Sequence, residues 1–176
     1  LLLYSLLGFE SVTGVDQLSI ANKNLYMSNI NIINIDIFDF IQNAKPSQYD
    51  LISMFDVLEH LQPEEVPDVL NKCYQLLRPG GSLIIQVPNG GSIFLGSIFY
   101  GDPTHVFTYN ESSLYKLFVS AGFNPNCVVC KETAPKPLSF FSTVRMLLWF
   151  IVRVFISILH IIETGSSPKV HTRVII

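Results

Sequence analysis

Charge is scarce in this sequence. Asp, Glu, Lys and Arg make up only 14% of the 176 residues, and the eleven basic residues are scattered rather than clustered. With a net charge of -3, nothing offers the broad basic face that a nucleic-acid backbone would need, and no nucleic-acid partner is expected. Cysteine is nearly as rare. Cys73, Cys127 and Cys130 are too few and too irregularly spaced for a disulfide framework, which fits a reducing, cytoplasmic setting. Cys127 and Cys130 form a C-x-x-C, but "NCVVC" reads as a strand, where residues three apart face opposite ways, so no metal site is expected. The opening leucines lack a preceding basic segment and a following small-residue cleavage site, which sets a signal peptide aside. They resemble instead the last turns of a helix ended by Gly8. With no initiator Met and a closing apolar run, the sequence is expected to be part of a longer chain.

Apolar residues are abundant, at 49%, enough for one domain with a sizeable core. They alternate between two patterns. Strand-like runs occur at 11–15, 30–35, 49–55 and 82–88, each rich in β-branched or aromatic residues. Helix-like segments separate them: 18–27, a short one near 38–42, and 63–77, which opens on "PEEV" and stops at "LRPGG" with Arg78 near its carbonyl end. A helix over 111–121, a strand over 124–131 and a final strand in "KVHTRVII" continue the alternation. Nearly continuous apolar strands between helices predict an α/β fold, a doubly wound, mostly parallel sheet covered on both faces.

Ligands of such sheets bind at the carboxyl ends of the strands. Four strand ends are polar here: Asp16, Asp36 followed by Ile37, Phe55 with Asp56, and Asn89. Any one acid could be a turn former or a helix cap. Acids after successive strands suit a ligand with hydroxyls and an amine, because carboxylates accept paired bonds from a ribose diol.

The stretches "GFESVTGVD", "INIINIDIFDF", "YDLISMFDVLEHL" and "LLRPGGSLIIQVPN", in this order, resemble the class I S-adenosylmethionine-dependent methyltransferases, in the branch of the ubiquinone-biosynthesis and small-molecule enzymes. The resemblance covers roughly residues 1–131. It implies a Rossmann-like methyltransferase fold and S-adenosylmethionine as cofactor. It implies Asp16 on the ribose hydroxyls, Asp36 and Ile37 at the adenine, and Phe55 with Asp56 near the methionine portion. Glu59 and His60 would shape the floor of the site, His60 in a structural role. The family's first strand and glycine-rich loop are expected ahead of Leu1. Two other readings stay open: a noncatalytic methyltransferase-like partner or scaffold domain, and a nucleotide-dependent oxidoreductase, whose fold also places an acid after the second strand.

Beyond Asn89, the D-P-T-H-V segment at 102–106 and the helix ending in A-G-F resemble glycan-cluster methyltransferases, which implies a small-molecule or glycan hydroxyl as acceptor. Such an acceptor must lose a proton, and His105, in a loop punctuated by Gly101 and Pro103, is the candidate base. It could equally pin the loop. Tyr100 and Tyr109 could stack on a ring or pack in the core.

The expected organisation is a core over 1–135, an apolar helical insertion over 136–166 and a last core strand over 167–176. Within the insertion, the polar residues Ser142, Arg145, Arg153, Ser157, His160 and Glu163 form one narrow stripe. Three readings remain: a buried or homodimer-forming helix, a helix at the inner face of a membrane, or a span. With only two permanent cations in the stripe, protein packing is the expectation; Arg153 near mid-bilayer argues against a span.

Overall fold

A computed structural model describes residues 1–17, 29–132, 139–166 and 173–175. The leading leucines form α1 (Leu2–Leu6), followed by Gly8 at φ 92°, a left-handed conformation that glycine adopts without strain. Leu1 reaches over β1 (Val12–Asp16), where a side chain at Gly14 would meet the leucine at 2.6 Å. β1 runs parallel to β2 (Ile30–Asn34), with Asp16 opposite Asn34. The helix expected between them, 18–27, lies outside the described residues. α2 (Ile37–Asn43) leads on to β3 (Tyr49–Phe55), a single 3-10 turn (Leu58–His60) and α3 (Val66–Leu76).

α3 buries Val66, Val69, Leu70, Cys73 and Leu76, spaced three and four apart on one face. These join one core cluster with Leu83, Ile85 and Val87, alternate residues of β4 (Leu77–Pro88). At about 25 cal/mol per Å² of apolar surface, each such side chain contributes roughly 1.5–3 kcal/mol on burial. α3 stops where the "LRPGG" segment begins, as expected, with Leu77 as its extended C-cap. The same segment then bulges at the start of β4, where Tyr49 stands opposite Leu77 but Leu51 opposite Ser82. Gly80 has φ 85°, and a Cβ on Gly81 would sit 3.0–3.2 Å from the backbone oxygens of Arg78, Tyr49 and Asp50. Arg78 pairs with Asp50 at 2.7 Å.

α4 (Leu95–Phe99) and α5 (Glu111–Ser120) follow, the latter held by a capping box between Asn110 and Ser113. The strand expected over 124–131 shrinks to β5 (Lys131–Glu132), because Pro125 opens a 3-10 turn through Cys127. "NCVVC" is therefore a turn running into extended chain. α6 (Phe140–Thr164) and β6 (Arg173–Ile175) complete the chain, β6 antiparallel between β4 and β5. Among the described residues the strands form two hydrogen-bonded sheets, β1-β2 and β3-β4-β6-β5, in keeping with a first strand expected ahead of Leu1.

α6 starts at a capping box on Ser139 and ends at Gly165, φ 72°. Among the described residues, nothing buries any of its 25 residues. Its partly buried residues, Ser142, Trp149, Arg153, Ile156, Ser157 and His160, form one stripe, and the Trp149 ring rests 5.6 Å from that of Phe94.

Candidate functional site

Side-chain hydrogen bonds to the backbone tie the ends of β1 and β2 together. The Asn34 amide donates to the backbone oxygens of Asp16, at 3.0 Å, and Gln17, at 2.9 Å. Asp36 caps α2, its Oδ1 accepting from the Phe38 N–H at 2.7 Å, and its Oδ2 accepts from the Gln17 amide. The helix-cap role foreseen as the plain alternative is thus realised, and each carboxylate oxygen still has a second lone pair for a ligand amine. Ile37, half-buried, opens α2 beside it. At the end of β3, Phe55 keeps 47% of its surface exposed. Asp56 then turns to φ 54°, the left-handed region that side-chain-bearing residues seldom adopt. Its N–H donates to the Gln86 carbonyl at 2.9 Å, and the Gln86 amide lies 3.4 Å from both carboxylate oxygens.

The 3-10 turn after β3 puts Glu59 inside the protein, 1% exposed, with neither carboxylate oxygen hydrogen-bonded. Burial pushes its pKa up and the Asp56 charge adds to that, while its backbone amide, His60 and His105 pull the other way. The Glu59 carbonyl accepts from the N–H groups of Val106, at 2.7 Å, and Phe107, at 3.3 Å, which fastens the His105 loop onto the turn.

Within that loop Asp102 accepts from the Thr104 hydroxyl at 2.6 Å and the Thr104 N–H at 2.9 Å; these two bonds, the hydroxyl first, hold the Asp102 carboxyl below its usual pKa. With the Thr104 proton committed to Asp102, His60 Nδ1–H donates to Thr104, 2.9 Å from its hydroxyl oxygen and 3.3 Å from its carbonyl. His105 Nδ1–H donates to the Phe99 carbonyl at 3.0 Å. Both rings so assigned keep Nε2 for another partner. They stand 4.8 Å apart, and His105 also stacks on Phe99 at 5.5 Å. One donor atom from each of Glu59, His60 and His105 lies within 4.8 Å of the other two.

Two imidazole nitrogens and a buried carboxylate can receive a proton or hold a divalent cation. The sequence reading picked His105 out, assigned His60 to structure and expected no metal; the two rings are in fact anchored in the same way. Glu59 was not foreseen as a buried charge. Its signal was an acid flanked by Leu58 and Leu61, both buried. Of the two readings given for Tyr109, the structure realises core packing; its hydroxyl is buried without a partner, and burial, with Glu59 and Glu64 adding, pushes its pKa up to about 12.

A cavity of about 390 Å³ lies elsewhere, at the end of β4, lined among others by Asn89, Gly91, Asn110, Tyr115, Cys130 and His160. No residue of the Glu59 cluster lines it. The two regions adjoin through the bridge between Asn89 and Tyr109.

A family model described as a methyltransferase domain matches residues 1–128. The chain is 31% identical over 74 residues to a protein of Mycolicibacterium smegmatis named a probable S-adenosylmethionine-dependent methyltransferase, covering 42% of this chain and 28% of that protein. It is 29% identical over 113 residues to the tRNA N(3)-cytidine methyltransferase METTL6 of Rattus norvegicus, covering 56% of this chain and 39% of that one. The chain therefore spans between about a quarter and two fifths of these relatives. Among solved structures, a SAM dependent methyltransferase from Archaeoglobus fulgidus superposes with TM-score 0.64 at 18% identity, over 93% of this chain and 73% of that one. An S-adenosylmethionine dependent methyltransferase from Mesorhizobium loti gives 0.60 at 14% identity, over 96% and 79%. At these identities the likeness is one of fold, and the fold is the Rossmann-like α/β arrangement.

Proposed function

This chain belongs to the methyltransferase-domain family, and from that premise we propose that the protein transfers a methyl group from S-adenosylmethionine to a hydroxyl of a small molecule or glycan. The observation that carries the reading is the Glu59, His60 and His105 cluster, fastened directly after a strand whose end presents Phe55 and Asp56. The donor set fits the cofactor. Asp16 would take the ribose hydroxyls, Asp36 and Ile37 the adenine, and Phe55 and Asp56 would flank the methionine portion. When bound, the cofactor supplies an electrophilic methyl group.

His105 holds its place through the Phe99 carbonyl and offers Nε2 to the proton of the acceptor hydroxyl. His60, its ring tilted against that of His105 at 4.8 Å, presents a second nitrogen, and Glu59 stabilises whichever ring becomes charged. Leu58 and Leu61 keep the floor of the site dry.

A second reading, methylation of an RNA base, draws support from the tRNA methyltransferase relatives. Against it, residues 1–130 carry twelve acidic and five basic side chains, a poor match for a phosphate backbone.

Calorimetric titration of the full-length protein with S-adenosylhomocysteine tests the cofactor site. Asp16→Ala should weaken binding by about 1–3 kcal/mol, the cost of hydroxyls left without their acceptor. Unchanged affinity would remove Asp16 from the ribose, and binding of a nicotinamide dinucleotide instead would overturn the class. With acceptor in hand, His105→Gln should lower kcat by about 10²–10⁴ at unchanged S-adenosylhomocysteine affinity. Turnover on tRNA alone would favour the second reading.

A further inference from the structure

We propose that α6 lies in the plane of an anionic lipid surface, its apolar arc among the acyl chains and its polar stripe toward the domain. The proposal is independent of the catalytic reading.

The width of the apolar arc argues first. At about 100° per residue, Ser142, Arg145, Arg153, Ser157, His160 and Glu163 all fall within about 120°, leaving about 240° in which Thr143 is the one polar residue. The helix is turned so that this arc faces outward. The partly buried positions, Ser142, Arg153, Ser157 and His160 among them, belong to the polar side. A soluble helix does the opposite. Phe140, Phe141, Phe150 and Phe155 are 77, 83, 63 and 62% exposed. At about 150–250 Å² per aromatic side chain these four alone expose roughly 400–700 Å², as much as the largest patch of a typical monomer, about 300–600 Å². Leu147, Leu148, Ile151, Ile158, Leu159 and Ile162, all at least 50% exposed, extend it.

A second copy cannot cover such an arc. One partner helix occupies a stripe of about 100°, leaving more than half of the arc in water. Acyl chains cover it whole.

Length and composition alone would also allow a crossing, since the helix has 25 residues and mean hydropathy 2.0. The contacts of the domain decide against that. Trp149 packs on Phe94, and His160 shares the cavity wall with Asn89, Asn110 and Tyr115, so the domain lies alongside the helix from 149 to 160. Those eleven steps span about 16 Å of helix, which cannot sit in hydrocarbon with a polar domain against its flank. A helix in the plane meets both conditions.

The charge distribution selects an anionic surface. Residues 131–176 carry six basic and two acidic side chains, whereas residues 1–130 carry five and twelve. The basic end carries the apolar helix, and the acidic remainder is repelled from the same surface, which orients the molecule.

Flotation of the full-length protein with phosphatidylglycerol–phosphatidylcholine vesicles, and with phosphatidylcholine alone, tests the proposal. Wild type should float with the former and much less with the latter. Phe155→Ser with Leu159→Ser, at positions 62 and 52% exposed, should leave the circular-dichroism melt unchanged and lower partitioning on the order of a hundredfold, as loss of two buried side chains demands. Trp149 is the single tryptophan of these 176 residues, so with any tryptophan elsewhere in the full-length protein replaced by Phe its emission reports depth. Quenching by shallow rather than deep brominated lipids, with release by alkaline carbonate, is the result expected for a helix in the plane. Deep quenching with resistance to carbonate would overturn the proposal in favour of a span. A folded wild type that stays off anionic vesicles, whether monomeric or dimeric on sizing, would overturn it outright.

Discussion

Replacing Glu59 by Gln should make the protein more stable and less active. The carboxylate is 1% exposed and neither oxygen has a hydrogen bond, so its ionised form is held where water cannot reach it. Burial is the main cause of its raised pKa, Asp56 adds to it, and the neighbouring imidazoles offset part. A carboxyl whose folded pKa lies above its unfolded one contributes stability that is present below the unfolded value and lost as pH rises through the folded value. At pH 8 the charge is therefore a burden that Gln removes at almost unchanged shape. Gln keeps an unsatisfied polar amide in place and removes only the extra cost of the charge, so the gain at pH 8 should be on the order of 1 kcal/mol, or roughly 2–4 °C in Tm for a domain of this size. Paired urea melts of both proteins in chelator-treated buffer, from pH 4 to 8, measure it. The difference should shrink toward zero at the acid end. A variant less stable than wild type at pH 8, or a gain independent of pH, would refute the buried, unpaired charge. Methyl transfer by the stabilised variant should fall, since Glu59 supports the imidazolium of the proposed reaction.

The same three donors should respond to divalent cations: if they can close on one ion, Mn²⁺ or Zn²⁺ will raise the Tm of wild type and not of Glu59→Gln, and an identical response in both would exclude the cluster as ligand. Cys73, 2% exposed and with its thiol pushed up to about 12 by burial, should resist thiol reagents until the domain unfolds, whereas exposed Cys127 reacts at once; equal rates in the native protein would contradict the packing of α3.

Much of the core was legible because its residues carry period. The three-four spacing of α3 and the alternation along β4 need only be counted. Asp36 was legible twice over, as a strand-end acid and as a helix cap, and the structure realises the cap. What failed had nonlocal causes. The helix stop at "LRPGG" was legible, but the bulge that follows it, with the backbone of Tyr49 and Asp50 against Gly81, exists only in the paired sheet. The burial of Glu59 depends on the loop that returns some 45 residues later to place Val106 on its carbonyl, and no window around "DVLEHL" contains that information. The turning of α6, polar side inward, inverts the usual amphipathic rule, which composition alone cannot foresee.

β6 pairs with both β4 and β5, yet residues 133–172, α6 included, separate it from β5 in the chain. For folding during synthesis this order is unfavourable. Until Arg173–Ile175 leaves the ribosome, the Gln86–Pro88 edge of β4 lacks these partners, while the apolar helix has already emerged. The closing contact is also among the most distant in sequence, so its loop-closure entropy must be overcome late. The nascent chain thus presents an open strand edge and an uncovered helix at the same moment. The step that seats the helix precedes the step that completes the sheet, which makes the surroundings of α6 a determinant of folding yield.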